Sequence, residues 1–69
     1  MKNKLSTLAK KIRKIRKKKG LSQDRLSKLA DISHITVIKI ESGAIRSPTV
    51  GTAQKIAKAL NVSINNLVS

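Results

Sequence analysis

Over the twenty residues from Gln23 to Ser42, QDRLSKLADISHITVIKIES, a helical apolar pattern breaks once and resumes in a new phase, and few folds accommodate that. Leu26, Leu29, Ala30, Ile32, Val37 and Ile40 carry the apolar positions, and the break falls at Ala30-Asp31-Ile32-Ser33. Ser33 is a good helix cap, because its hydroxyl accepts a bond from an amide of the turn that follows. The pattern therefore predicts a short helix starting after Ser22, a tight turn at Asp31, and a second helix from His34 to about Ser42.

The flanking segments read as three more helices. Residues 1 to about 4 are polar and basic and are expected to form a flexible arm. From Leu5 to Lys19 the apolar positions Leu5, Leu8, Ala9, Ile12 and Ile15 follow helical spacing, with Lys10, Lys11, Lys14, Lys17 and Lys18 largely on other faces. Gly20 supplies the residue after its last turn. Gly43 is placed to end the helix that begins at His34, and the loop Ala44 to Pro48 follows, with Ile45 expected to anchor on the core. Thr49 caps a fourth helix running to Leu60, whose Val50, Ala53, Ile56, Ala57 and Leu60 are expected to face inward. Gly51 weakens its first turn by about 0.5 to 1 kcal/mol relative to Ala. Asn61 ends that helix, Val62 packs, and Ser63 caps a last short helix from Ile64 to Val68. No internal repeat or low-complexity linker divides the chain. The expected fold is all-α, five helices around one core, with residues 1–69 as a single domain. A domain this small hides only about 60% of the surface its unfolded chain exposes.

Charge decides which partners are plausible. Sixteen Lys and Arg against only Asp24, Asp31 and Glu41 leave a net charge of +13, and ten of the cations lie in the first nineteen residues. Such an excess points to a polyanion, either nucleic acid or an anionic membrane face. The chain has no Cys, which removes disulfides and thiolate chemistry together. No apolar run approaches the length of a membrane span, and the basic N-terminus lacks a following apolar core, so neither a membrane span nor a secretory signal is expected, and the protein is expected in the cytoplasm. Aromatic residues are absent, which counts against both membrane-interface anchors and base-stacking platforms for single strands.

Taken with Pro48, the run LSQDRLSKLADIS…IKIESG resembles the Xre/Cro-type helix-turn-helix repressors over nearly the whole chain. The match consists of Ser22-Gln23 opening the first motif helix, Leu26, the apolar Ala30, Ile32, Val37 and Ile40, and Glu41-Ser42-Gly43 closing the second. Two positions depart from the pattern. Ser27 stands where a small Ala is usual and brings a hydroxyl that needs a bond. Asp31 stands where Gly is usual, and Asp is among the few residues that tolerate left-handed backbone. The resemblance implies a compact lambda-repressor-like fold that binds double-stranded DNA.

With Val37 and Ile40 turned inward, the outer face of the second motif helix consists of His34, Ile35, Ile38 and Lys39, flanked by Thr36 and Ser42. An apolar side chain in the major groove can press on a thymine methyl, and Lys39 can donate to guanine O6 and N7. Ile38 is alternatively half-buried against a neighbouring loop. By resemblance His34, Ile35 and Lys39 match base-reading positions, and Ser33 and Thr36 stand near enough for a base or phosphate contact. The resemblance also implies that Gln23, at the start of the first motif helix, reaches the DNA backbone or a base edge and that Arg46 and Ser47 in the loop touch the backbone; phosphate contacts are further expected from Ser22, Ser42 and the Lys17 to Lys19 end of the first helix. Gln23 is otherwise an exposed polar residue without a role. The resemblance also pairs Glu41 with Arg16, tying the first helix to the end of the recognition helix. If the pair is buried, losing Glu41 leaves a charge uncompensated at a cost of about 3–5 kcal/mol; left exposed, such a pair is worth under about 1 kcal/mol. His34, the one histidine, has neither a ligand set nor a nucleophile around it in sequence, so no metal, cofactor or catalytic role is assigned.

The function expected from these residues is a sequence-specific transcription regulator, most simply a repressor, acting at the nucleoid. Proteins of this type usually bind a palindromic operator as homodimers, and Ile64, Leu67 and Val68 of the last helix are the candidate interface unless they close the core. Without an effector segment such a regulator would be expected to respond to its own concentration or to a partner, unless the chain is a fragment of something longer. The alternative is an antitoxin-like or co-activator protein whose main partner is another protein. A basic membrane-active or RNA-binding peptide would leave the four later helices unexplained, and an enzyme is the weakest reading because no catalytic pair is visible.

Overall fold

The computed structural model describes residues 7–68 and contains five helices: α1 Thr7–Lys18, α2 Gln23–Ala30, α3 His34–Ser42, α4 Val50–Leu60 and α5 Ile64–Val68. The expected arm, Leu5 and the expected start of the first helix lie outside the described residues.

Every interior boundary has a local chemical cause. Ser22, Ser33 and Thr49 sit in extended backbone, and their hydroxyls accept from the amides of Arg25, Thr36 and Thr52. The Ser63 hydroxyl accepts more weakly from the Asn66 amide at 3.4 Å. At the other ends, Gly20, Asp31 and Asn61 adopt left-handed backbone, with φ of 73°, 57° and 59°. In each case the next residue is apolar and its amide reaches back five positions: Leu21 to the Arg16 carbonyl, Ile32 to Ser27, Val62 to Ala57, all at 3.0 Å. These three side chains then pack on the core, so each turn both closes a helix and adds an apolar contact. Gly43 ends α3 in the same left-handed region, and Ile45, bonded through its amide to the Lys39 carbonyl, packs on the core as well.

The core is one cluster of Ile12, Leu26, Ala30, Val37, Ile40, Ile56, Ala57, Leu60 and Leu67. α2 packs on α3 and α4, α1 packs on α3 and α5, and α5 also meets α4. Ser27 is buried between these elements, and its hydroxyl is satisfied by donating to the Asp24 carbonyl at 2.6 Å.

The core departs from the sequence expectation at two positions. Val50, expected to face inward, is 69% exposed. It is the first residue of α4, at the edge of the apolar stripe, and Ala53, Ile56, Ala57 and Leu60 bury that stripe without it. Leu67, offered as part of a dimer interface, is fully buried within the chain and closes the core between α1 and α4; Ile64 is partly buried against the same cluster. The side chain of Val68 lies outside what is described.

Candidate nucleic-acid interface

α3 is held by its inner face and presents its outer one. Val37 and Ile40 are buried, while His34, Ile35, Ile38, Lys39 and Ser42 are exposed. Ile35 is 62% exposed and Ile38 40%, an unusual amount of branched apolar surface for a nine-residue helix to leave in water. The Asp31 turn sets the angle at which α3 leaves α2. Ser33 caps α3 and also meets the Thr36 hydroxyl at 3.3 Å, so both polar side chains of its first turn are ordered by each other.

α3 is tied to α1 and α2 by one buried constellation. Arg16 on α1 donates from Nε to Glu41 Oε2 at 2.7 Å and from Nη2 to Glu41 Oε1 at 3.0 Å, and from Nη1 to the Leu21 carbonyl at 2.7 Å. Gln23, the first residue of α2, donates from Nε2 to the same Glu41 Oε1 at 3.0 Å. The two charged side chains are 9% and 4% exposed. A two-pronged guanidinium on a carboxylate is a directional contact, so the pair fixes the position of α3 along α1 as well as its distance. The link from Gln23 to Glu41 is absent from any sequence pattern, since eighteen residues separate the partners. A carboxylate only accepts, so the Gln23 amide turns its NH2 toward Glu41 and its carbonyl oxygen away.

The remaining polar positions divide by what their hydrogens already do. The Ser22 hydroxyl accepts from the Arg25 amide, and no acceptor among the described residues takes its proton, which leaves it free to donate. Ser42 donates to the Lys39 carbonyl and accepts from the Ala44 amide, so its proton is committed. Lys19 is exposed just beyond α1. His34 Nδ1 stands 3.9 Å from Asp24, which also meets Lys28 at 3.4 Å; these are exposed contacts of little energetic weight.

The structure gathers His34, Ile35 and Lys39 on one face and joins Gln23 and Ser42 through a shallow recess lined by Arg13, Arg16, Gln23, Ile38, Glu41 and Ser42. Ile38 thus shares this recess with residues of α1 and the start of α2. Arg46 and Ser47 lie apart, exposed in the α3–α4 loop beside a separate recess bounded by Leu8, Pro48 and Ala53. Among the described residues no group of acidic, His or Cys side chains could hold a metal ion, and no helix is long and apolar enough to cross a membrane.

Comparison with known proteins agrees with this geometry. A helix-turn-helix family model matches residues 12–67. The transcriptional regulator PuuR of Escherichia coli K12 and that of Shigella flexneri are each 33% identical over 60 residues; these cover 87% of this chain but 32% of theirs, so the chain spans about a third of the length of these relatives. The crystal structure of the restriction-modification controller protein C.AhdI from Aeromonas hydrophila superposes with a TM-score of 0.85 at 30% identity, covering 91% of this chain and 94% of that one. With the buried Arg16–Glu41 tie, the capped turn at Asp31 and the exposed face of α3 in place, the chain belongs to the helix-turn-helix family, in its Xre/Cro-type branch.

Proposed function

We propose that residues 1–69 form one DNA-binding domain of a transcription regulator, most simply a repressor, which reads double-stranded DNA in the cytoplasm by laying α3 in the major groove. The observation that carries the reading is the outer face of α3, where Ile35 and Lys39 project from a helix whose opposite side is locked in the core. Water gains nothing from an isoleucine held out in this way, whereas a thymine methyl does, and Lys39 supplies a donor for guanine O6 and N7. His34 and Thr36 complete the base-facing set. Ser22, Gln23, Ser33 and Lys19 flank it as backbone contacts, and Arg46 and Ser47 add contacts from the α3–α4 loop, positioning the helix without carrying sequence information; Ser42, whose proton is held by the Lys39 carbonyl, borders the set without donating to a phosphate. The likeness to PuuR, named as a transcriptional regulator, and to C.AhdI, named as a controller protein, supports the same reading.

The chain is proposed to act as a homodimer on a palindrome, with two copies of α3 about 34 Å apart. Selection from a random duplex pool at about 150 mM salt, where phosphate attraction alone is weakened, tests both statements. The expected outcome is an enriched palindrome with half-sites one helical turn apart, whose discrimination falls by about 1–3 kcal/mol per contacted base pair in Lys39→Ala and Ile35→Ala. Binding without an enriched motif that disappears as salt rises would overturn the reading. A second reading, a protein partner, has one feature behind it: Leu29 is 52% exposed beside a recess of about 430 Å³ rimmed by Lys55 and Lys58. Its test is whether a stoichiometric protein co-purifies with the chain from its native cells.

A further inference from the structure

The ten cations of the first nineteen residues look alike in sequence, but the recess between α1 and α3 separates one from the rest. Of its six lining residues, three are charged: Arg13, Arg16 and Glu41. Arg16 and Glu41 neutralise each other through two hydrogen bonds and are almost fully buried, so the one net positive charge of the recess belongs to Arg13. Arg13 is exposed and has no ion pair among the described residues; Asp24 faces Lys28 and His34, and Glu41 faces Arg16. The recess opens beside Ile38 and Ser42 of α3 and Gln23 of α2, the parts of the molecule that flank the base-facing surface.

We infer that this recess seats one phosphodiester of the DNA backbone and that Arg13 is the side chain that holds it. This deepens the proposed DNA-binding function and rests on it. The donors around the recess leave few other candidates. Two of the three nitrogens of Arg16 are bonded to Glu41 and the third to the Leu21 carbonyl, and the Ser42 proton is given to Lys39. Arg13 therefore supplies the charge and a forked pair of donors, and Gln23 can add the second hydrogen of its Nε2, whose first is fixed on Glu41. Ile38 forms an apolar wall beside the seat, which accounts for its half-exposed position without making it a base reader. The position of Arg13 on α1 follows from helical geometry: at 3.6 residues per turn it lies on the flank shared with the buried Ala9 and Arg16, while Lys14 is turned about a quarter-turn away from it and Lys18 projects from the far side. The middle of α1, and not only its basic end, approaches the DNA.

The test compares Arg13→Gln, Arg13→Lys and Lys14→Gln for binding to the duplex enriched by the selection above, titrated between about 50 and about 400 mM KCl. Arg13→Gln and Lys14→Gln remove the same charge from the same helix, so overall electrostatics cancels in the comparison. Arg13→Gln is expected to lower the slope of log affinity against log salt by about 0.9 and weaken binding about threefold to tenfold, equally for all base substitutions in the site; Lys14→Gln is expected to leave the slope nearly unchanged and Arg13→Lys to keep it. A scan of single uncharged methylphosphonate linkages adds a second readout. One linkage should weaken the wild-type complex and have no further effect on the Arg13→Gln complex. Equal slopes for Arg13→Gln and Lys14→Gln, or no linkage that depends on Arg13, would overturn the inference while wild-type binding left the DNA reading standing. A wild-type chain that binds no duplex would overturn both, and an Arg13→Gln chain whose helical content is lost is replaced in the comparison by Arg13→Ala, which removes the same charge with the strongest helix former.

Discussion

Glu41 is the residue whose loss should be felt most widely, and the structure permits a magnitude. Its carboxylate accepts three bonds, two from Arg16 and one from Gln23, with 4% of its side chain exposed. In Glu41→Ala the Arg16 guanidinium, itself 9% exposed, keeps only the Leu21 carbonyl. Removing one partner from a buried pair leaves an uncompensated charge and costs about 3–5 kcal/mol. A 69-residue domain has a total stability of about 3–10 kcal/mol at 0.05–0.15 kcal/mol per residue, so Glu41→Ala should lose between about a third and all of it.

Urea denaturation followed by far-ultraviolet circular dichroism is the assay, since a chain with no aromatic residue has no intrinsic fluorescence to follow. Three variants separate the contributions. Gln23→Ala removes one of the three bonds and exposes part of Glu41 to water, with an expected loss of about 1 kcal/mol. Arg16→Met with Glu41→Leu removes both charges together and should recover most of the stability lost in Glu41→Ala, because the desolvation of the pair disappears with it. The refuting result is a loss below about 1 kcal/mol in Glu41→Ala, the range of an exposed surface pair. That would mean that water enters the constellation and that α1 and α3 are joined by apolar packing alone.

Two further substitutions test the turns and the edge of the core. Asp31 holds left-handed backbone with a side chain and places a negative charge at the end of α2, so Asp31→Gly is expected to raise stability by about 0.5–1 kcal/mol in the same urea assay, and a loss would show that Asp31 makes a contact worth more than the strain. Val50→Ser should change stability by less than about 0.5 kcal/mol because the side chain is mostly in water, whereas a loss above about 1.5 kcal/mol would restore the inward orientation that the apolar spacing of α4 suggests.

What the sequence made legible is what physics keeps local. Ser22, Ser33 and Thr49 cap helices through bonds spanning three residues, and Gly20, Asp31, Gly43 and Asn61 end them in left-handed backbone that only a few residue types tolerate. Val37 and Ile40 against Ile35, Ile38 and Lys39 follow from helical periodicity, so the inner and outer faces of α3 were readable before any coordinates. Periodicity failed at Val50, where spacing was right but the helix had just begun, and it could not say whether Leu67 turned toward this chain or another. Both questions depend on which surface stands opposite, and a one-dimensional pattern carries no such term.

The same reasoning explains why charge was the least legible property of all. Net charge fixes the class of partner, but sixteen cations in 69 residues give no rank order, because each Lys or Arg on a solvated helix face satisfies the same local rules. Rank appears only when the fold neutralises some and strands others. Arg16 is removed from the binding surface by Glu41 and Leu21, although its sequence neighbourhood is as basic as that of Arg13. Arg13, one turn earlier, is left facing a recess in which every other donor is partly engaged. A structural ion pair and a binding residue thus differ by a single helical turn, and the burial of the first is what gives the second its role.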